Sequence, residues 1–262
     1  MKDILDEIVA NKRMEVARQK EAVSLKQLAD LCDLPAVPYL SMKAALEASA
    51  TGIIAEFKRR SPSKGWIKEE GDAHIIPPGY EQAGASALSI LTDETFFGGS
   101  LKDIQMARPL VKSPILRKDF IIDEYQLYQA KAVGANAVLL IAACLTIGEC
   151  KALAAKAHHL SLEVLLEVHQ EKELEYIGSH TDMVGVNNRN LGTFHTDVEN
   201  SFRMAELLPK DMLKVSESGI SRASTIKTLR EVGFRGFLIG ETFMKTEEPD
   251  KALRELINGV LC

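Results

Sequence analysis

Eight short apolar runs recur between residues 52 and 239 with helix-like stretches between them, and this alternation restricts the fold more than anything else in the chain. The runs are Gly52–Phe57, Ala85–Leu91, Pro114–Leu116, Ala135–Ala142, Leu162–Val168, Met183–Val186, Leu213–Val215 and Gly236–Ile239. Ile122–Val133, Ile147–His159 and Arg222–Val232 lie between them, rich in Ala, Leu, Lys and Glu, with apolar residues three and four apart. A strand that is apolar throughout is covered on both faces, the condition of a parallel sheet flanked by helices. Eight such units predict an α/β fold, a (β/α)8 barrel of the TIM type, in preference to a doubly wound sheet. A length of 262 residues suits one such barrel.

Gly134 and Gly233 each follow a helical stretch just before a strand, where glycine takes the left-handed cap. In the first crossover Pro77-Pro78 interrupts His74–Ala83, so a short helix is predicted to begin near Pro78, with proline in its first turn. Residues 1–50 stand outside the repeat. Ile4, Leu5, Ile8 and Val9 form an apolar stripe after Asp3, and Pro35 and Pro38 precede a second helix-like segment, Ser41–Ala48. No polar linker separates this N-terminal helical extension from the barrel of residues 51–262, so the two are expected to act as one domain. From the pattern alone the extension either closes the barrel bottom or covers the mouth that holds substrate.

Acidic and basic residues, 37 and 32, are mixed along the chain for a net charge of −5, which leaves no basic stripe of the kind nucleic-acid binding needs. The start, MKDILDEIVANKRMEVARQK, is charged and helical, so no secretory signal is expected, and no apolar run reaches membrane-spanning length. Cys32, Cys144, Cys150 and Cys262 lack CxxC spacing and suit reduced thiols in a cytoplasmic protein. Six histidines, the adjacent His158 and His159 among them, lack metal-ligand spacing, so no metal site is expected. A monomer is expected.

Chemistry in such barrels sits at the C-terminal strand ends, so polar residues that end apolar runs are informative. Alternation puts Ile54, Glu56 and Lys58 on one face of the first strand. The third strand repeats this with Leu116 and Lys118, the fifth with Leu165 and Glu167, the sixth with Gly185, Asn187 and Arg189, and the seventh with Val215 and Glu217. An isolated charge there is as easily part of a salt-bridged plug; five at one rim favour a site. Lysines facing carboxylates also tune one another: burial favours neutral forms and opposite charge favours ionised ones, so the cluster can supply both acid and base.

The seventh run continues as Ser216-Glu217-Ser218-Gly219-Ile220 and the eighth as Leu238-Ile239-Gly240-Glu241-Thr242. Glycines after these two strands let backbone N–H groups approach an anion, which marks a phosphate site. The loop Arg59-Arg60-Ser61-Pro62-Ser63-Lys64-Gly65, after the first strand, is basic and expected to be flexible, and its cations could close over an anionic substrate.

The segment Glu56-Phe57-Lys58-Arg59-Arg60-Ser61-Pro62-Ser63 resembles the signature of indole-3-glycerol-phosphate synthases. Further matches follow in order: Leu91-Thr92-Asp93-Glu94, Phe97-Gly98-Gly99-Ser100, Leu116-Arg117-Lys118-Asp119-Phe120, Leu165-Leu166-Glu167, Gly185-Val186-Asn187-Asn188-Arg189, Glu217-Ser218-Gly219-Ile220 and Ile239-Gly240-Glu241. The resemblance spans nearly the whole chain. It implies ring closure of 1-(2-carboxyphenylamino)-1-deoxyribulose 5-phosphate, a small phosphorylated molecule, to indole-3-glycerol phosphate in tryptophan biosynthesis, with loss of carbon dioxide and water and no cofactor. It makes Lys118 the general acid, Glu167 the general base of the dehydration and Lys58 a contact for the substrate carboxylate, with the division of acid duty between the lysines open. Glu56, Asn187 and Glu217 orient these groups, and Arg189 lies near the ribulose and phosphate end. Ser61, Ser218, Gly219, Gly240 and Glu241 match positions around the phosphate, and Phe97, Phe120 and Leu139 line the aromatic pocket. The segment from Gly71 to Pro78 departs from the uninterrupted helix expected in the family. A second barrel, as in fused members, has no room here. Two rivals remain at this stage: a sugar-phosphate isomerase, since fold and phosphate site do not fix chemistry, and a catalytically silent metabolite-binding barrel.

Overall fold

A computed structural model describes residues 4–32, 40–190, 192 and 195–262; Asp3, Pro35 and Pro38 lie outside the described residues. The extension consists of α1 (Ile4–Ala22), α2 (Leu25–Cys32) and α3 (Met42–Ala48). β1 (Ile53–Phe57) is followed by a hairpin of β2 (Arg60–Ser61) and β3 (Gly65–Trp66), then by α4 (Ile76–Ala83). β4 (Ala87–Leu91) leads to α5 (Glu94–Phe97) and α6 (Leu101–Ala107), β5 (Ile115–Lys118) to α7 (Glu124–Ala132), and β6 (Ala137–Ile141) to α8 (Ile147–His159). β7 (Glu163–Val168) passes through a 3-10 helix, Glu171–Tyr176, to β8 (Met183–Asn187) and α9 (Glu199–Ala205). β9 (Leu213–Glu217), α10 (Ala223–Glu231), β10 (Phe234–Ile239), α11 (Glu241–Met244) and α12 (Pro249–Leu261) complete the chain.

Each apolar run of the sequence overlaps one barrel strand, and the eight parallel strands close in the order β1-β10-β9-β8-β7-β6-β5-β4. Ile54 pairs with Ala87 and Glu56 with Ser89 where β4 meets β1. Alternation then sorts side chains into two cores. Ile54, Leu116, Leu139, Leu165, Val215 and Leu238 fill the barrel interior. Ile53, Phe57, Leu88, Leu140, Leu166 and Phe237 face the helical shell. Each such side chain, once buried, contributes about 1.5–3 kcal/mol. Gly134 and Gly233 take the left-handed conformation expected of them, with φ of 90° and 98°. α4 starts at Ile76, two residues before Pro78, because both prolines fit the first turn, whose N–H groups need no partner.

The extension performs both of the jobs that its pattern left open. α3 closes the bottom: Met42 and Leu46 join the interior core, and the Glu163 carboxylate at the start of β7 accepts from the Ser41 hydroxyl and from the N–H groups of Met42 and Lys43, at 2.7 and 3.0 Å for the latter two. α1 covers the other end, where Leu5 and Ile8 join the same core. Glu163→Ala is expected to remove about 1.5–3 kcal/mol of charge-assisted bonding, lowering the melting temperature in a thermal scan. Because the substitution lies at the opposite end from the mouth, kcat should stay near wild type. No helix among the described residues is long and apolar enough to cross a membrane.

Candidate active site

The C-terminal strand ends surround a cavity of about 580 Å³, within the range of small-molecule sites. Glu56, Lys58, Lys118, Glu167, Asn187 and Glu217 reach it from the ends of β1, β5, β7, β8 and β9. Ser61, Arg189, Ser218, Gly219, Gly240 and Glu241 line it from the loops, and Phe97, Phe120 and Leu139 form its apolar side. The structure thus brings together the residues singled out in the sequence.

Lys118 organises the charges. Its Nζ lies 3.2 Å from Glu167 Oε2 and 4.0 Å from Glu217 Oε2, and it is 16% exposed while both carboxylates are about 2% exposed. Burial alone would lower the lysine pKa; Glu167, Glu217 and Glu56 outweigh it and raise the value, so the ammonium is retained. The two glutamates are driven in opposite directions. Burial raises both, but Lys118, His169 and a hydrogen bond from the Asn187 side chain bring Glu167 below the ordinary carboxylate range. Glu217, farther from the ammonium and next to Glu167, is pushed well above it by burial and by its neighbour's charge. Two carboxyls whose pKa values are pushed apart in this way can take different parts in acid–base chemistry. Glycine makes room for this packing: a Cβ on Gly185 would overlap Glu217 Oε1, and one on Gly240 would overlap Glu56 Oε1. Glu56 also holds Lys58, at 2.5 Å.

At the opposite side of the cavity, Ser218 and Gly219 are successive left-handed residues, with φ of 68° and 76°. A non-glycine residue in that conformation costs about 1–3 kcal/mol and must be held by its surroundings. Asn188 does this, donating from Nδ2 to both Ser218 O and Ser216 Oγ at 3.0 Å and accepting from Ser201 N–H and Oγ–H at Oδ1. Arg189 donates to Ser63 Oγ at 2.8 Å and lies 3.5 Å from Glu241, which ties the loops after β1, β8 and β10 together. Its Nε has no hydrogen-bond partner among the described residues. Lys64 and Lys245 add positive charge to the rim.

The loop after β1 meets the expectation of substrate-facing polar and basic residues only in its second half. Arg59 is committed to structure, donating to both oxygens of buried Asp103 at 2.7 and 2.8 Å and lying over the Phe57 ring. Arg60 stacks over Trp66 and donates to Thr95 O. Neither arginine lines the cavity; Ser61, Pro62, Ser63 and Lys64 do. An antiparallel hairpin consumes the two arginines because β2 and β3 need anchors outside the barrel sheet.

Sequence reasoning missed His169, which lies 3.4 Å from Glu167, and left open whether Ile4, Leu5 and Ile8 roof the cavity, as they do. The signal for the first was present: His169 shares the parity of Leu165 and Glu167. For the second, the stripe was legible but not its direction.

Comparison with known proteins follows the same lines. The family model described as indole-3-glycerol phosphate synthase matches residues 5–256. An indole-3-glycerol phosphate synthase of Bacteroides thetaiotaomicron is 65% identical over 99% of this chain and 100% of that protein. One from a Polaromonas species is 42% identical over 98% of each. Among solved structures, 3-hexulose-6-phosphate synthase from Salmonella typhimurium superposes with a TM-score of 0.63 at 12% identity, covering 80% of this chain and 98% of that one, a likeness of fold alone.

Proposed function

The chain belongs to the indole-3-glycerol phosphate synthase family, and from that premise we propose how its site works. It is a carboxy-lyase of tryptophan biosynthesis that converts 1-(2-carboxyphenylamino)-1-deoxyribulose 5-phosphate to indole-3-glycerol phosphate, carbon dioxide and water. One observation supports the assignment of roles above the rest. A half-buried ammonium, Lys118, stands between two buried carboxyls whose pKa values are driven in opposite directions, at the edge of a pocket with an aromatic wall.

The ring of the substrate lies against Phe97, Phe120 and Leu139, roofed by Leu5 and Ile8. Its phosphate meets Ser61, Ser218, Gly219, Gly240, Arg189 and the cations Lys64 and Lys245, while Glu241 neutralises part of that charge. As the aromatic carbon attacks the ribulose carbonyl, an electron pair moves to oxygen, and the Lys118 ammonium stabilises it and delivers a proton. Lys58 holds the departing carboxylate. Breaking the bond to carbon dioxide returns its electron pair to the ring, so no electron sink is needed. Glu167 then takes the proton released as water leaves, and Asn187, Glu56 and Glu217 keep both groups in place. The extension completes the pocket, so we treat the chain as one functional unit. We read it as a cytoplasmic monomer; the thiols of Cys144, Cys150 and Cys262 suit that setting.

Supplying the carboxyphenylamino-deoxyribulose phosphate to the wild-type protein is expected to give indole absorbance and carbon dioxide in equal amounts. Carbon dioxide without indole, or neither, would refute the assignment. Gly219→Ala adds a Cβ that would meet the Thr196 side chain at a left-handed position. It is expected to raise KM by about tenfold, with a smaller change in kcat, in the same assay.

A further inference from the structure

His169 follows Glu167 by two residues, so the alternation of β7 carries it to the same side, beyond the strand end. Its ring is 13% exposed, with Nε2 3.4 Å from Glu167 Oε1 and Nδ1 3.6 Å from Glu173 Oε2. The residue is fixed from behind: its N–H donates to Glu173 Oε2 at 2.6 Å, and Asn200 Nδ2 donates to its carbonyl at 3.1 Å. Gln170 donates to the other oxygen of Glu173 at 3.0 Å.

A neutral imidazole has one N–H and one lone pair, so with a carboxylate against each nitrogen one face would be repelled. The imidazolium presents a donor to both. Burial opposes the charge and Lys118, from β5, opposes it too, but Glu173 and Glu167 prevail and the histidine pKa is raised. Other ionisable groups around this cluster are Glu56 from β1, Glu217 from β9, Tyr176 beside Glu173, and the Cys144 thiol, which burial keeps protonated by pushing its pKa up to about 12. Glu167 is therefore flanked on both oxygens, by Lys118 Nζ at 3.2 Å from Oε2 and by the His169 ring at 3.4 Å from Oε1.

We propose that His169 is a positioning residue, an imidazolium held by Glu173 that keeps Glu167 ionised and oriented after Lys118 has given up its proton. The proposal rests on the synthase reading. In the first step Lys118 transfers a proton to the substrate oxygen and becomes a neutral amine, so Glu167 loses one counter-charge before its own step begins. The second cation, which takes no part in that transfer, maintains the base.

The test is the pH dependence of kcat for wild type, His169→Gln and Glu173→Gln. The acid limb is expected to move to higher pH by about one unit or more in His169→Gln, and in the same direction by less in Glu173→Gln, with KM changed little. A separate titration of the His169 ring by NMR, identified by its loss in His169→Gln, should give a midpoint above the ordinary value of about 6.5 that falls in Glu167→Gln and in Glu173→Gln. A uniform loss of kcat with an unmoved acid limb, or an ordinary midpoint insensitive to both glutamates, would overturn the proposal. Absence of turnover in wild type would instead defeat the synthase reading, and the NMR midpoints would still decide whether His169 is an imidazolium.

Discussion

Lys118→Ala is expected to lower kcat by about 10²–10⁴-fold while the protein stays folded by circular dichroism. The size of the loss follows from Lys118 being both the proton donor and the counter-charge of the cluster. Without the ammonium, Glu167 and Glu56 lose their nearest shared cation, and Glu167 is left with the His169 ring alone, beside Oε1. One substitution thus removes the acid and one of the two groups that face the base. The fold tolerates the change because the His169 ring still faces Glu167 and burial favours the protonated form of Glu217. Its folded pKa being raised, Lys118 contributes stability at all pH values below its ordinary ~10.4 and loses that contribution only as pH rises through the higher native value. Alanine therefore costs some stability at neutral pH, and the cost disappears only in strong alkali.

Lys12→Met carries the largest expected effect on stability. Lys12 is fully buried in α1, with its Nζ 2.9 Å from Glu15, 2.9 Å from Asp93 and 3.0 Å from Asp119. Asp119 in turn accepts from Thr92 at 2.6 Å and from Arg117 at 2.8 Å. This network joins the roof helix to the ends of β4 and β5, beside Lys118. Removing one partner of a buried ionic cluster leaves uncompensated charge, at about 3–5 kcal/mol. For a chain of this size that is a fall of roughly 6–20 °C in melting temperature. KM should also rise, since Ile4, Leu5 and Ile8 are held over the cavity by the same helix. The pH sign is fixed by Asp119, whose pKa is lowered by Arg117 and Lys12 against the opposing effect of burial. Its contribution is present above the ordinary ~3.9 and is lost as pH falls through the depressed native value. The stability gap between Lys12→Met and wild type should therefore narrow in calorimetric scans below about pH 4.

The barrel was legible because its signal is redundant: eight apolar runs each announce a covered strand, and helices of nine or more residues such as α7 and α8 complete more than two turns of periodicity. Shorter helices left a trace only where other signals marked them, as prolines do ahead of α3 and in the first turn of α4. The two-residue strands of the hairpin, the four-residue helices α5 and α11 and the 3-10 helix Glu171–Tyr176 are set by tertiary contacts, such as the Arg59–Asp103 pair that spans 44 residues. The site was legible for a related reason. Parity along a strand is a local property, so Glu56, Lys118, Glu167, Asn187 and Glu217 could be aimed at one mouth before any packing was known. What parity cannot give is the partner. Lys12 reads as one cation among many on a charged helix, and nothing near it in the chain announces Asp93 or Asp119. Arg59 and Arg60 erred in the opposite sense: a run of cations beside a catalytic strand suggested substrate contact, whereas a buried carboxylate and an exposed indole claim them. His169 lay within reach of the parity rule, but metal-ligand spacing was the only role sought for histidine.

The most direct test of the division of roles is a single-turnover experiment that follows carbon dioxide and indole absorbance separately in Glu167→Gln and Lys118→Ala. Lys118 acts before decarboxylation and Glu167 after it. Glu167→Gln is therefore expected to release close to one equivalent of carbon dioxide per site with indole formation stalled, whereas Lys118→Ala releases neither. Coupled loss of both products in Glu167→Gln, or carbon dioxide release by Lys118→Ala at the wild-type rate, would contradict the account.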